Sequence, residues 1–272
     1  MRKASPQGRR LPPRAVLSVD CGHRFPYTVE ISENLLSVRG LPAELEGALV
    51  AQITDLHAGF GNTDAVFEAV WQYLEKICPD MLLLTGDYID DNHSARNYPL
   101  TELLCRLRAP LGIYAVFGNH DHRGGIAGVR RHLEAAHIKL LYNESLCTPH
   151  GLWLVGVDDL HEGQPDVARA FANVPPTVMP VVLSHNPRLI ELIPDREVVI
   201  LSGHTHGGQI CLPFPTPAMV CRFHLGCRQV AGWYENGRAR LYVSRGIGVT
   251  GYPMRYRCPA ELALFRFQSV EV

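Results

Sequence analysis

Short, continuous apolar runs recur along this chain, and each ends at glycine or at a polar residue. The runs are 49–54, 81–85, 113–117, 181–183 and 198–201. Runs of this length without polar alternation are typical of strands that are buried on both faces. The pattern therefore predicts that these strands form the centre of a sheet.

Between these strands, apolar residues recur with the spacing of helices. The helical segments are 63–77, 100–107, 126–136, 167–172 and 187–192. Strands that alternate with helices predict an α/β domain with a mixed sheet. In such a domain, the loops that follow the strands present their side chains to a ligand.

Composition agrees with one compact domain of enzyme size. The chain has 272 residues, of which 46% are hydrophobic, so it can bury a sizeable core without a second domain. Its 26 basic and 27 acidic residues give a formal charge of −1, so the whole chain offers no reason to expect nucleic acid as a partner. The 8 cysteines show neither a C-x-x-C pair nor dense spacing. This favours free thiols in a reducing compartment, and hence a cytoplasmic location.

The N-terminal segment differs from the rest of the chain in its charge. We expect residues 1–25 to form a flexible basic arm and residues 26–272 to form a single domain, with its metal motifs within 49–210. A solvated arm is the favoured interpretation, and peripheral contact with anionic lipid is the alternative. The apolar run 15–19 is too short for an export signal or a membrane span. The basic residues of the arm are Arg2, Lys3, Arg9, Arg10 and Arg14.

Five motifs rich in histidine, aspartate and asparagine follow the predicted strands. Each motif alone is equally typical of a helix cap or a loop. Seven ligand-type side chains at five strand ends, however, favour a metal site over a set of separate caps. The motifs are Asp55-Leu56-His57, Gly86-Asp87, Gly118-Asn119-His120-Asp121, Ser184-His185 and Gly203-His204-Thr205-His206.

The ligand types in these motifs indicate the chemistry. Nitrogen and oxygen ligands without cysteine suit manganese, iron or zinc and argue against a structural zinc site. Asp87 has a carboxylate, the ligand type that can bridge two cations. Two divalent cations, two carboxylates and one hydroxide leave a single positive charge, which suits a phosphate ester anion. Two metals about 3.5–4 Å apart also stabilise both the attacking and the leaving oxygen of a displacement.

The motifs resemble the pattern D-x-H, G-D, G-N-H-[DE], H and G-H-x-H of the calcineurin-like metallophosphoesterase family, and every family position is filled. The resemblance implies an α/β fold in which a two-sheet sandwich is flanked by helices, with a dinuclear site at the strand ends. It implies two divalent ions, with Mn²⁺ favoured over iron or zinc. The first ion would take Asp55, His57, Asp87 and His206, and the second would take Asp87, Asn119, His185 and His204.

The same resemblance gives His120 and Asp90 roles in the chemistry. His120 would be the general acid that protonates the leaving oxygen while a metal-bridging hydroxide attacks phosphorus. Asp90 falls where some relatives place a carboxylate that orients this histidine and raises its pKa. The alternative for Asp90 is an exposed loop aspartate beside Asp91. His122 and His161, like the other remaining histidines, are assigned to the surface or to packing.

Departures from the family pattern narrow the expected activity. Asp91 and Asn92 stand where protein serine/threonine phosphatases have arginine and glycine, and Asp90 replaces the tyrosine ligand of purple acid phosphatases. The extended signature G-H-T-H-G-G-Q at 203–209 is similar to that of bacterial phosphodiesterases. One group in that branch cleaves the pyrophosphate of UDP-2,3-diacylglucosamine, a nucleotide-lipid of lipid A synthesis.

Several functional hypotheses therefore stand together. The leading one is a metal-dependent phosphodiesterase or pyrophosphatase, with UDP-2,3-diacylglucosamine pyrophosphatase as the specific alternative. A nuclease is disfavoured by the neutral charge, and a non-catalytic metal-binding scaffold is disfavoured because no ligand position is lost. Prolines in the segment 210–234 predict a loop or lid in place of a regular helix. That segment either packs in the core or forms an apolar wall for an acyl chain or a membrane surface.

Overall fold

A computed structural model describes residues 2–3, 15–20, 27–91, 93, 97–193 and 195–270. Fourteen strands in this part of the chain form two mixed sheets of seven strands each. In chain order the strands are β1 Arg2–Lys3, β2 Ala15–Val19, β3 Tyr27–Arg39, β4 Leu49–Ile53, β5 Met81–Leu84, β6 Ile113–Ala115, β7 Lys139–Leu140, β8 Glu144–Cys147, β9 Trp153–Gly156, β10 Val181–Leu183, β11 Val198–Ser202, β12 Gly232–Asn236, β13 Ala239–Val243 and β14 Ala260–Val270.

Each sheet has parallel strands at its centre. The first sheet has the order β2-β3-β14-β4-β5-β6-β7, and its strands β4 to β7 run parallel. The second sheet has the order β1-β12-β13-β11-β10-β9-β8, with β9, β10, β11 and β13 parallel. Because parallel strands end at the same edge of a sheet, the loops that follow them collect there.

Short helices connect the strands and cover the outer faces of the sheets. The α-helices in the described residues are α1 Asp64–Ile77, α2 Leu100–Leu104, α3 Asn119–Gly124, α4 Ile126–Ala135, α5 Val167–Phe171 and α6 Pro217–His224. Three 3₁₀ turns of the described part of the chain lie at Ala43–Leu45, Pro187–Glu191 and His206–Gly208.

The apolar runs are buried on both faces because successive side chains of a strand point to opposite sides. In β5, Leu82 and Leu84 pack outward against the helices that cover the first sheet. Met81 and Leu83 point inward and pack against the second sheet. In the second sheet, Ile200 likewise packs outward while its neighbours pack between the sheets. The resulting layers are helix, sheet, sheet and helix, which confirms the predicted two-sheet α/β fold.

The predicted helices and strands are confirmed in position, with small differences at their ends. The segment 187–192 is a 3₁₀ turn, and helix α2 ends at Leu104 instead of 107. The expectation of no regular helix in 210–234 is wrong, since α6 lies there. The Thr216 hydroxyl accepts the backbone N–H of Met219, and Pro217 occupies the first turn, where its missing N–H costs nothing.

Two parts of the expected N-terminal arm belong to the sheets. Residues 2–3 pair with β12, and β2 pairs with β3. The rest of residues 1–25, except Asp20, lies outside the described residues, and the division into a flexible arm and a domain stays a prediction. Within the described residues, the helices are too short or too polar to cross a bilayer.

Aromatic packing between the two sheets generates a stability prediction. Phe265 on β14 is fully buried, and its ring meets that of Tyr242 on β13 edge to face, with centroids 5.1 Å apart. Removing such a ring leaves a cavity that costs about 3–5 kcal/mol. We therefore expect Phe265→Ala to lower the free energy of unfolding by that amount in urea denaturation. Gln268→Ala, at an exposed position of the same strand, should change it little. Equal effects of the two substitutions would contradict this packing.

Candidate metal centre

The seven candidate ligands converge at the strand ends of both sheets. Asp55 and His57 follow β4, Asp87 follows β5, and Asn119 follows β6 in the first sheet. His185 follows β10, and His204 and His206 follow β11 in the second sheet. All seven are buried. Because these strands run parallel, motifs that are far apart in the sequence meet in a single cluster.

The backbone at the cluster is unusual. Five of the seven candidate ligands have a positive φ, with values from 45° at His57 to 74° at His204. Non-glycine residues adopt this left-handed region at a free-energy cost, and such strain is concentrated at functional sites. Gly118 and Gly203 allow the close approach, because a Cβ at either position would collide with the carboxylate of Asp87 or Asp55.

Two groups of ligand atoms lie inside the cluster. In the first, Nε2 of His206 is 3.0 Å from Nε2 of His57 and 3.2 Å from Oδ1 of Asp55. In the second, Nε2 of His185 is 3.0 Å from Oδ2 of Asp87 and 3.2 Å from Nδ1 of His204. In each group the donor atoms lie close enough to share one cation.

Asp87 joins the two groups. Its Oδ2 atom is 3.0 Å from Nε2 of His185 and 3.4 Å from Nε2 of His57. Its Oδ1 atom accepts the backbone N–H of His120 at 2.8 Å. One carboxylate therefore lies within reach of both groups, at the point where a bridging ligand is needed.

Several features of the site fit a pair of cations. The side-chain oxygen of Asn119 is buried and has no hydrogen-bond partner among the described residues. Such an orphaned oxygen is destabilising, and a cation would satisfy it. The Nδ1–H of His185 donates to the carbonyl of Thr85 at 2.8 Å, so Nε2 is the ring nitrogen that would bind a cation once its proton is lost. The donors of both groups are nitrogen and oxygen atoms, which suit manganese, iron or zinc.

Electrostatic coupling between the carboxylates and the imidazoles is strong. Burial opposes ionisation of Asp87, but the charge of His185 outweighs it and holds the pKa of Asp87 well below its usual value. Burial would also lower the pKa of His185, but Asp87 outweighs it and raises that pKa to about 10. Burial would likewise raise the pKa of the Asp55 carboxyl, but its contact with His206 outweighs burial and the pKa is lowered. Both carboxylates therefore stay ionised and require positive charge beside them.

Two other imidazoles of the centre, those of His204 and His206, are held neutral. Burial, together with the charge of His185, lowers the pKa of His204 to about 3. Burial lowers the pKa of His206 to about 4, although Asp55 acts in the opposite direction. Neutral imidazole is the form that binds metals, so these two rings are ready to act as ligands.

The contacts of Asp90 differ from the sequence expectation. Its carboxylate lies 3.0 Å from Nδ1 of His57 and accepts the hydroxyl of Thr250 at 3.0 Å. The same carboxylate is 3.6 Å from Nδ1 of His120, which instead donates to the backbone carbonyl of Asp90 at 2.6 Å. Burial lowers the pKa of His120 and outweighs the opposite effect of Asp90, so the net pKa is lowered and not raised. The carbonyl orients His120, and the carboxylate orients His57.

Asp121 has a structural role that the sequence indicated as a cap. It is fully buried, and its carboxylate accepts the backbone N–H groups of Asp87, Tyr88 and Gly118 at 2.8–2.9 Å. The bond to Gly118 caps helix α3. The other two bonds fix the loop that carries Asp87. Burial raises the pKa of Asp121 to about 7.

Two residues near the centre were not identified from the sequence. The Arg255 guanidinium donates to the backbone carbonyls of Gly248 at 2.7 Å and His206 at 3.1 Å, and it lies 3.3 Å from Nδ1 of His206. The ring of His161 is 6.4 Å from that of His204. Arg255 lies in the segment Pro253-Met254-Arg255, which is similar to bacterial phosphodiesterases, but the sequence pattern assigned neither residue a role at the centre, and long-range folding brings both here.

The three bonds of Asp121 generate a stability prediction. Asp121→Ala leaves three backbone N–H groups without an acceptor, at about 1–3 kcal/mol for each buried group. We expect the free energy of unfolding to fall by about 3 kcal/mol or more. Asp195→Ala, which removes an exposed carboxylate, serves as the control in the same denaturation series. A fall below about 1 kcal/mol for Asp121→Ala would show that these amides find other partners.

Comparison with known proteins places this geometry in a family. Residues 48–208 match the family model for calcineurin-like phosphoesterase. The chain is 30% identical over 251 residues to the metallophosphoesterase YkuE of Bacillus subtilis. The alignment covers 90% of this chain and 87% of YkuE.

Two further relatives have names that describe an activity. The phosphodiesterase YaeI of Escherichia coli is 32% identical over 224 residues, which cover 78% of this chain and 79% of YaeI. The UDP-2,3-diacylglucosamine pyrophosphatase LpxG of Chlamydia muridarum is 29% identical over 281 aligned positions, covering 82% of this chain and 84% of LpxG. With the family model matched over more than half of its length, this chain belongs to the calcineurin-like phosphoesterase family and is a metallophosphoesterase, a hydrolase.

Proposed function

We propose that this chain hydrolyses a phosphodiester or pyrophosphate bond at a dinuclear metal centre that binds Mn²⁺ in preference to iron or zinc. The observation that carries the proposal is the position of Asp87 Oδ2, within 3.4 Å of ring nitrogens from both ligand groups. One ion would bind Asp55, His57, Asp87 and His206, and the other would bind Asp87, Asn119, His185 and His204.

The chain's own residues would then position the reaction. Bound divalent ions supply Lewis-acid activation of the phosphate and of the attacking water. Asp87 and Asp55 would supply the negative charge that holds such ions. The Nδ1–H of His120 is held by the carbonyl of Asp90, so Nε2 is the atom that remains to donate a proton to the leaving oxygen. An anionic phosphate beside this ring would favour its protonated form.

A non-catalytic scaffold is the competing proposal from another class. The buried set of seven candidate ligands argues against a scaffold. So does His120, whose side chain is 17% exposed at the edge of the cluster. Hydrolysis of bis-p-nitrophenyl phosphate by the purified chain with added Mn²⁺ is the direct test. A protein that binds metal but shows no turnover with Mn²⁺, Fe²⁺ or Zn²⁺ would be a scaffold.

A nucleotide-lipid is the more specific substrate proposal. Its support is the 29% identity to LpxG over most of both chains. UDP-2,3-diacylglucosamine would then be cleaved at its pyrophosphate, in the cytoplasm, where the seven described free thiols stay reduced. The test compares kcat/KM for substrates that differ only in acyl length. A flat series would contradict a lipid substrate and leave a general phosphodiesterase.

The position of Asp87 predicts the effect of removing it. We expect Asp87→Ala to abolish diester hydrolysis and to lower the metal content measured by mass spectrometry, because both ions lose a ligand. Asp195→Ala should leave activity and metal content unchanged, since Asp195 is exposed. Two bound metals and near-normal turnover in Asp87→Ala would refute the bridging role.

His120 is expected to affect chemistry and not metal binding. General acid catalysis contributes about 10²–10⁴-fold, so His120→Asn should lose that rate on esters with poor leaving groups. The loss should be much smaller on activated aryl esters, whose leaving oxygen needs no proton. His137→Asn, at an exposed histidine beyond helix α4, is the matched control. Equal losses on both ester types would argue against proton donation by His120.

A further inference from the structure

Large apolar side chains are exposed mainly in two segments of the chain. In the described residues, eight large apolar side chains are exposed, and six of them lie in 212–223 or 252–256. Phe214 and Phe223 are each 75% exposed, and Tyr252 is 69% exposed. The expectation that the first segment packs in the core therefore does not hold for these side chains. The six are Leu212, Phe214, Phe223, Tyr252, Met254 and Tyr256.

Hydrogen bonds hold the two segments together beside the metal centre. The backbone N–H of Cys211 donates to the carbonyl of Tyr256 at 2.9 Å. The side-chain amide of Gln209 donates to the carbonyls of Thr250 and Tyr252 at 2.9 and 3.0 Å. Gln209 directly follows the turn His206–Gly208. Both segments therefore lie next to His206, which is a candidate metal ligand.

Both segments also lack negative charge. Residues 210–228 and 250–258 contain no aspartate or glutamate. They contain the exposed arginines Arg222, Arg228 and Arg257. The guanidinium of Arg257 lies 5.5 Å from the ring centre of Tyr256, which pairs a cation with an aromatic side chain at the surface. We call the six apolar side chains and these three arginines the apolar-arginine face.

We infer that the apolar-arginine face binds the surface of an anionic lipid bilayer. Phenylalanine and methionine enter the acyl region, tyrosine rings suit the interface, and arginines bind the phosphate groups of the lipid. A second copy of the chain is a poorer partner, because a symmetric contact would place the arginines of the two copies against each other. The inference goes beyond the proposed function and does not depend on turnover.

Sedimentation with lipid vesicles tests this inference. The full chain is mixed with vesicles of phosphatidylcholine alone or of an equimolar mixture with phosphatidylglycerol. We expect binding to the anionic vesicles and little to the neutral ones. Phe214→Ser and Phe223→Ser should each lower the partition coefficient about tenfold, because a buried phenylalanine is lost. Arg222→Gln should lower it about fivefold on anionic vesicles.

Leu192→Ser is the control, since Leu192 is an apolar residue outside the face that is 55% exposed. All variants should keep the wild-type unfolding midpoint and the wild-type rate on bis-p-nitrophenyl phosphate without vesicles. A wild-type chain that ignores anionic vesicles, or face variants that bind like the Leu192→Ser control, would overturn the inference. Self-association in analytical ultracentrifugation that Phe214→Ser abolishes would instead identify the face as a contact between copies. Loss of diester hydrolysis with intact vesicle binding would refute the proposed function alone.

Discussion

Two buried carboxylates, Asp55 and Asp87, impose the main constraint on this structure. Burying an ionised carboxylate is costly unless positive charge or hydrogen-bond donors lie beside it. Here the parallel strands of two different sheets end at one edge and bring imidazoles against both groups. The sandwich therefore places the carboxylates of the first sheet against imidazoles of the second sheet. A shift between the sheets would separate Asp55 from His206 and Asp87 from His185.

Support for the ligands comes from groups that do not touch the centre themselves. Asp121 fixes the loop of Asp87 through backbone amides, while Asp90 and Thr85 orient the rings of His57 and His185. Each of these partners forms a hydrogen bond to the ligand, or to its loop, on the side that faces away from the centre. This arrangement restricts the rings to the orientation in which their free nitrogens converge. The strained backbone at the ligands persists because these contacts hold it.

Much of this was predictable from local pattern. The apolar runs predicted strands buried on both faces, and Met81 to Leu84 show why, since alternate side chains fill two different cores. The motifs predicted a shared site because parallel strands end at one edge. Their assignment to individual metals rests on the family resemblance and stays a proposal. The prediction for 210–234 failed because proline tolerates the first turn of a helix, where Pro217 lies.

Other features depend on contacts that sequence spacing does not encode. Asp90 is three residues from Asp87, but its carboxylate also accepts the hydroxyl of Thr250, which is 160 residues away. Arg255 similarly reaches His206 through a loop from the far end of the chain. The strand β14 pairs with β3 on one side and β4 on the other, although it follows both by more than 200 residues.

That placement of β14 has a consequence for the order of assembly during synthesis. Every candidate ligand, from Asp55 to His206, precedes β14 in the sequence, so a ribosome completes the ligands before it completes this strand. Until β14 arrives, β3 and β4 have no common neighbour and the first sheet is divided in two. The loops that carry Asp55 and Asp87 are anchored on that sheet. A metal centre held by these loops would therefore require β14 to be in place, so that ion binding would be coupled to completion of the first sheet.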